Sequence, residues 1–312
     1  MKIYRGIEQL PAGFGPTVAT IGNFDGVHRG HRWVIAEVIA RAHALGVSSL
    51  AITFAPHPVH ILRPEIPLKL ITPLQRKLEL LAETGIDATL VLPFTTELSH
   101  MSAHDFAAQI LIGAANVVEV HEGENFRFGF NAEAGIDGLE VLGRELNFAV
   151  KSYAPRALRG SPVSSSRIRT LIAAGDMNHA RALLGRPFAV DSTPASGRGF
   201  GTRYAVPTIN LAPYANLLPA NGVYCTTLAV DGEVFRAVTN VGNRPTFGED
   251  SFAVESYLLN FHPLDLQETT PLCLTFYKRL RGEKKWPTPE ALKAQIGLDV
   301  KSAERFFSLA GL

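Results

Sequence analysis

Two histidines three residues apart, His28 and His31, stand in the run Gly22-Asn23-Phe24-Asp25-Gly26-Val27-His28-Arg29-Gly30-His31. Glycines at Gly22, Gly26 and Gly30 let a backbone approach a ligand closely, and the free N–H groups at a helix start attract an anion. Imidazoles placed there could donate hydrogen bonds to a phosphate chain as charge builds on its leaving group. Phosphoryl and nucleotidyl transfer need little beyond such positioning and charge stabilisation. Two other readings stay open: a glycine turn with two surface histidines, or a zinc site that has no obvious third ligand nearby.

A second group of polar residues lies far along the chain. Thr208 and Asn210, in Pro207-Thr208-Ile209-Asn210, project to one side of an extended strand, where a hydroxyl and an amide oxygen could reach one hard cation. Upstream, the loop around Gly199 and Gly201 suits the wrapping of phosphates, an ordinary β-turn being the alternative. Strand alternation sets Glu255 on the opposite face from Val254 and Ser256. On a barrel interior or rim its carboxylate could take a proton from an attacking hydroxyl, the alternative being a solvated residue or an ion-pair partner. Between the two groups, Ser164, Ser165 and Ser166 form a helix N-cap cluster, with Arg169 in the turns that follow.

The elements that must carry these residues change in kind along the chain. Thr17–Ile21 reads as a buried strand, followed by a helix from about Gly30 to Leu45 and a strand over Ser49–Phe54. Thr72 is the expected N-cap, and Pro73 the first residue, of a helix reaching about Glu83. Ala88–Leu92, Ala103–Ile112 and Val117–Val120 read as strand, helix and strand. A strand over Asn147–Ser152 precedes a helix from near Ser164. Alternating strands and helices predict a Rossmann-like α/β domain with a parallel sheet, whose ligands sit beyond the carboxyl ends of the strands. After about Arg186-Pro187 the pattern turns to hairpins: Val223–Val230 and Val234–Val241 around Asp231-Gly232, then Val254–Leu259 and Leu272–Tyr277. This predicts a C-terminal antiparallel β-barrel finished by helical segments near Pro289–Ile296 and Lys301–Leu309. The expected domains are 1–186 and 187–312.

The motifs, taken together and in order, resemble those of one family. Gly22–His31 resembles the signature of the nucleotidylyltransferase superfamily, in the form found in prokaryotic bifunctional riboflavin kinase/FMN adenylyltransferases, the FAD synthetases. Thr53-Phe54-Ala55-Pro56-His57-Pro58 resembles that family's Thr-Phe-x-Pro-His-Pro. Gly123–Gly129 resembles Gly-x-Asp-Phe-x-Phe-Gly with Asn125 at the acidic position. Val163–Arg169 resembles Ile-Ser-Ser-Thr-x-Ile-Arg with Ser166 for threonine. In the second half, Pro207–Asn210 resembles the riboflavin-kinase Pro-Thr-x-Asn, Asn240–Gly248 the Asn-x-Gly-x-Arg-Pro-Thr-Phe-Gly motif, and Val254–Phe261 the strand of the kinase's catalytic acid. Lys278–Trp286 is similar to the Arg-Asp-Glu-x-x-Phe segment, with Trp286 at the aromatic place.

The resemblance implies two ATP-dependent transfers with Mg²⁺: riboflavin to FMN, then FMN to FAD. It implies His28, His31 and Arg169 as charge stabilisers in the second, with Gly22, Phe24, Asp25, Gly26, Gly30 and Ser164–Ser166 around ATP. Pro58, Asn125 and Trp286 fall to flavin, Gly199 and Gly201 to nucleotide, Thr208 and Asn210 to Mg²⁺, and Glu255 to the kinase base. Gly201–Val206 departs from the family's Gly-Arg-x-Leu-Gly-Phe. The alternative is therefore an adenylyltransferase whose barrel binds flavin without kinase activity. Riboflavin, FMN and ATP are the expected partners.

Composition sets outer limits. The 312 residues carry 30 basic and 29 acidic side chains, a net charge of +1, which argues against a general nucleic-acid binder. No apolar run has the length of a signal peptide or a bilayer span, so no membrane partner and a cytoplasmic location are expected. Cys225 and Cys273 are expected to be isolated buried thiols.

Overall fold

The structure is a computed structural model that describes residues 1–158, 160–195, 208–243, 252–262, 264 and 266–312. The backbone forms two compact units, Met1–Ser165 and Ser166–Leu312.

In the first unit β1 (Lys2–Arg5), β2 (Thr17–Ile21), β3 (Ser48–Ala55), β4 (Ala88–Pro93), β5 (Val117–Gly123) and β6 (Ala149–Tyr153) form one sheet. Its order is β1-β4-β3-β2-β5-β6 and every pair is parallel. β2 is buried along its whole length, as a strand covered on both faces must be. The chain lays β3 and β4 on one side of β2, then crosses to β5 and β6 on the other. This reversal makes the carboxyl end of β2 the switch point where such sheets bind ligands. A two-stranded hairpin, β7 (Ala157–Leu158) with β8 (Ser161–Pro162), follows β6.

The helices of this unit are α1 (Arg29–Leu45), α2 (Pro58–Leu62), α3 (Leu74–Ala82), α4 (Thr96–Ser99), α5 (Ala103–Asp105) and α6 (Ile136–Leu146). α1 buries Ile35, Val38 and Ala42 and stops at Gly46 in the left-handed conformation, φ 68°. Two expectations are corrected. The helix foreseen over Ala103–Ile112 is a single turn, α5, that widens into π-helix over Phe106–Ala114. Thr72 does not cap α3: Pro73 takes the cap position, and the Thr72 hydroxyl is drawn away to Asp25 and Gly26.

The second unit opens with α7 (Ser165–Ala173, its first residue still in the first unit) and α8 (Met177–Leu184). Its strands are β9 (Phe188–Ser192), β10 (Thr208–Asn210), β11 (Gly222–Val230), β12 (Glu233–Asn243), β13 (Phe252–Leu258) and β14 (Leu272–Gly282). They pair antiparallel in the order β10-β13-β12-β11-β14-β9. The two edges meet just past β9, where the Ala195 N–H donates to Asn210 O and the Ala212 N–H to Thr193 O, both at 2.8 Å. Asp231 and Gly232 both have positive φ, 47° and 85°, the tight turn their sequence calls for.

Where two terminal helical segments were expected there is one 22-residue helix, α9 (Pro289–Ala310). Thr288 caps it, and Ala303 and Phe307 pack on Val223, Cys225 and Val238, so the packed face carries the helix through Gly297. α8 packs on β14 and β9, which places α7 and α8 with the barrel although the texture of the sequence changes only near residue 187. No disulfide joins the cysteines. Cys225 is buried, but Cys273 only partly so, because alternate residues of β14 face outward.

Candidate active sites

The Gly22–His31 segment leaves the carboxyl end of β2 in a strained turn. Phe24 and the β-branched Val27 have φ of 46° and 35°, a region that costs such residues about 1–3 kcal/mol each. The surroundings over-determine that shape. The buried Asp25 carboxylate accepts hydrogen bonds from the N–H groups of Ile71 and Thr72, each at 3.0 Å. Thr72 Oγ1 accepts from the Gly26 N–H at 3.0 Å and donates to Asp25 Oδ1 at 3.3 Å. Ser165 Oγ donates to Asp25 O at 2.8 Å, tying the start of α7 to the same turn. Asp25 thus holds the turn in shape with its carboxylate turned to residues 71–72. Replacing Thr72 by valine should remove the hydrogen bonds its hydroxyl makes with the Gly26 N–H and the Asp25 carboxylate, costing about 1–3 kcal/mol. Thermal unfolding checks the stability, and FAD formation should fall with it.

His28 is the N-cap of α1 and only 4% exposed. Its Nδ1 accepts from the His31 N–H at 3.3 Å, which in the neutral ring leaves the proton on Nε2 as a donor. The two imidazoles stack with centroids 3.6 Å apart, and Phe24 meets His31 edge-on at 5.2 Å. Burial, reinforced by the neighbouring His28 and Lys77, holds His31 well below the usual histidine pKa, so its ring is neutral at physiological pH. Gly30 leaves little room for a side chain, since a Cβ there would lie 3.2 Å from the His28 ring, tighter than most such contacts. At Gly22 a Cβ would lie 3.2 Å from the Phe24 ring. The stacked pair sits at the start of a 17-residue helix, whose free N–H groups add to the attraction for phosphate. Among the described residues no cluster of histidine, cysteine and carboxylate side chains could hold a metal ion.

Two buried titratable groups beside this turn have no counterpart in the sequence reading. Lys77, on α3, donates to Asn23 O at 3.2 Å, Thr53 Oγ1 at 3.0 Å and Phe54 O at 3.1 Å. Burial brings its pKa down to about 8, against the opposing pull of Asp25. The available signal was a lysine within the apolar spacing Leu74, Leu78, Leu81. Glu122, at the end of β5, accepts from the Ile21 N–H and from Thr20 Oγ1, and burial pushes it up to about 8. Its folded pKa lies above the ordinary carboxylate value. The folded protein therefore stays protonated where the unfolded chain has ionised, and stability falls as pH rises from about 4.5 to 8. Glu122→Gln keeps the acceptor without the titration. Its melting temperature should rise relative to the unmodified chain across that window; parallel melting curves against pH would contradict the assignment.

A cleft of about 110 Å³ lies beneath the turn, lined by Asn23, Asp25, His57, His60, Thr72 and Lys77 among others. Pro58 begins α2 between the two lining histidines and is not itself in the lining. Asn125 is exposed on the loop after β5. Ser164 is partly buried, Ser166 exposed and Arg169 partly buried, the last two on α7 in the second unit.

On the barrel, Val254, Ser256 and Leu258 of β13 point inward, with Ser256 bonded to Thr239 at 2.8 Å and Thr239 to Thr226 at 2.6 Å. Glu255 therefore faces outward. It stands in register between Asn210 of β10 and Asn240 of β12. Thr208 lies two residues from Asn210 on the same face, with Ile209 turned into the core. A hydroxyl, amide oxygens and a carboxylate thus share one outer face of the sheet, a donor set of the hard-oxygen kind that Mg²⁺ takes. Asn240 was legible only as the first residue of a longer motif. Trp286 is partly buried, with the Arg281 guanidinium 5.7 Å and the Lys284 ammonium 4.8 Å from its ring. Gly199, Gly201, the 201–206 departure and Arg244 lie outside the described residues.

Comparison with known proteins agrees with this division. Residues 12–167 match the FAD synthetase family and residues 184–307 the riboflavin kinase family. The bifunctional riboflavin kinase/FMN adenylyltransferase of Pseudomonas fluorescens is 35% identical over 305 residues, covering 97% of each chain. The enzyme of that name from Escherichia coli (strain K12) is 31% identical over 311 residues, covering 99% of each. A solved structure described as a macrolide-efflux protein from Streptococcus pneumoniae shares the fold with a TM-score of 0.87, covering 97% of this chain and 99% of its own, at 23% identity. With both domains matched and relatives aligned from end to end, the chain belongs to the bifunctional riboflavin kinase/FMN adenylyltransferase family.

Proposed function

We propose that the chain makes FAD from riboflavin in two ATP-dependent steps, with residues 187–312 as the kinase domain and 1–186 as the adenylyltransferase domain, a span that takes in α7 and α8 of the second unit. The observation that supports this most is that each unit carries its own set of reactive groups. The stacked His28 and His31 stand at the switch point of the parallel sheet. Glu255, Asn210 and Thr208 share a face of the barrel. A protein that only bound flavin would need neither set.

In the kinase step Glu255 takes the proton of the riboflavin 5′-hydroxyl as its oxygen attacks the γ-phosphorus of ATP, and ADP leaves. The Thr208 hydroxyl and the Asn210 amide oxygen would hold Mg²⁺, which when bound neutralises charge on the phosphates. Trp286 covers the flavin ring, and the nucleotide role expected of Gly199 and Gly201 falls on residues outside those described.

In the adenylyl step a phosphate oxygen of FMN attacks the α-phosphorus of a second ATP and pyrophosphate leaves. The Nε2–H of His28 and the neutral ring of His31 donate to the phosphates that gain charge, and Arg169 adds a fixed positive charge. Gly22, Gly26 and Gly30 allow the close approach, Phe24 and Asp25 keep the turn in shape, and Ser164–Ser166 close around the nucleotide. Pro58 and Asn125 contact the flavin.

The partners are riboflavin, FMN and ATP, with no nucleic acid or membrane, in the cytoplasm; among the described residues no helix is long and apolar enough to cross a membrane. Product stoichiometry tests the scheme. Riboflavin with ATP should release one ADP per riboflavin consumed and one pyrophosphate per FAD formed. Pyrophosphate in excess of the FAD formed, or riboflavin consumed without ADP, would contradict it.

A further inference from the structure

The Lys77 ammonium has three protons and three acceptors: Asn23 O in the turn after β2, and Thr53 Oγ1 and Phe54 O at the end of β3. All three are neutral, and the side chain is only 7% exposed. Keeping a charge there is costly unless its hydrogen bonds do something that a hydrophobic residue on α3 could not. What they do is join the strained turn to the neighbouring strand. Phe24 and Val27 keep left-handed backbone only while their surroundings hold them, and Asn23 is where that turn begins.

We propose that Lys77 is a positioning residue for adenylyl transfer, its ammonium clamping the Asn23 carbonyl to the end of β3 so that His28 and His31 are held at the phosphate site. The role rests on the adenylyltransferase reading of the first unit. The titratable groups around Lys77 are Asp25 in the turn, His57 at the N-cap of α2, His60 within α2, and His31 on α1. Charge-assisted bonds of this kind are stronger than neutral ones, and a neutral amine has only two protons for three acceptors. Alkaline pH should therefore release one of the three anchors, in the range about 8 that burial sets for this lysine.

The test compares the full-length chain with Lys77→Met and Lys77→Arg in FAD formation from FMN and ATP between pH 7 and 9.5, alongside thermal unfolding. Lys77→Met should lower kcat by about a hundredfold at pH 7.5, the cost of misplacing catalytic groups by about an ångström, with KM changed much less. Lys77→Arg, charged throughout, should keep activity to higher pH than the unmodified chain. Retention of kcat within about threefold in a folded Lys77→Met would overturn the proposal. So would an Arg variant whose alkaline decline coincides with that of lysine, a comparison that stands even if the Met variant unfolds. If the unmodified chain makes no FAD from FMN, it is the adenylyltransferase reading that fails.

Discussion

His28→Ala should lower FAD formation from FMN by two to three orders of magnitude, on the order of 100- to 1000-fold, and leave FMN formation from riboflavin unchanged. The magnitude is that of removing one pre-positioned donor from a developing negative charge. The side chain meets the requirement of pre-positioning: it is almost wholly buried, stacked on His31, and oriented by accepting the His31 N–H. The substitution also removes a helix cap, worth about 1 kcal/mol. His28→Asn separates the two effects, because asparagine caps well but carries no imidazole. If asparagine restores FAD formation, His28 serves the helix; if it restores stability and not rate, His28 serves the phosphates.

Glu255→Gln should do the converse, lowering FMN formation by about 100- to 10,000-fold while FAD formation from supplied FMN continues. Glutamine has the same shape and can keep the place between Asn210 and Asn240 on the outer face of the barrel, so the loss reports on the proton acceptor rather than on the fold. An unchanged rate of FMN formation in the glutamine variant would remove Glu255 from the reaction. Equal loss of both activities in either variant would point to misfolding.

The parallel sheet was legible because β2, β3 and β4 are short runs made mostly of apolar residues and threonine and α1 keeps its period between two glycine-marked ends. The hairpin at Asp231-Gly232 was legible because only a left-handed pair of residues suits that turn. β1 escaped notice: its four residues are mostly exposed and owe their strand conformation to pairing with β4. α6 opens at Gly135 without a side-chain cap, and α9 is held as one helix by contacts made across the barrel. Tertiary contacts decide such cases, and local pattern cannot.

The site residues follow the same division. His28, His31, Thr208, Asn210 and Glu255 stand out by type and spacing. Lys77 and Glu122 act through the backbone atoms they hold, and those partners lie 54 and 101 residues away in the chain. The outward face of Glu255 is settled only by the burial of Ser256 against Thr239.

A time course of riboflavin, FMN and FAD, separated by chromatography after purified protein is mixed with riboflavin, ATP and Mg²⁺, tests the two-site account most directly. FMN should appear first and FAD follow at its expense. Riboflavin that stays unconverted while added FMN still becomes FAD would contradict the kinase assignment of the barrel.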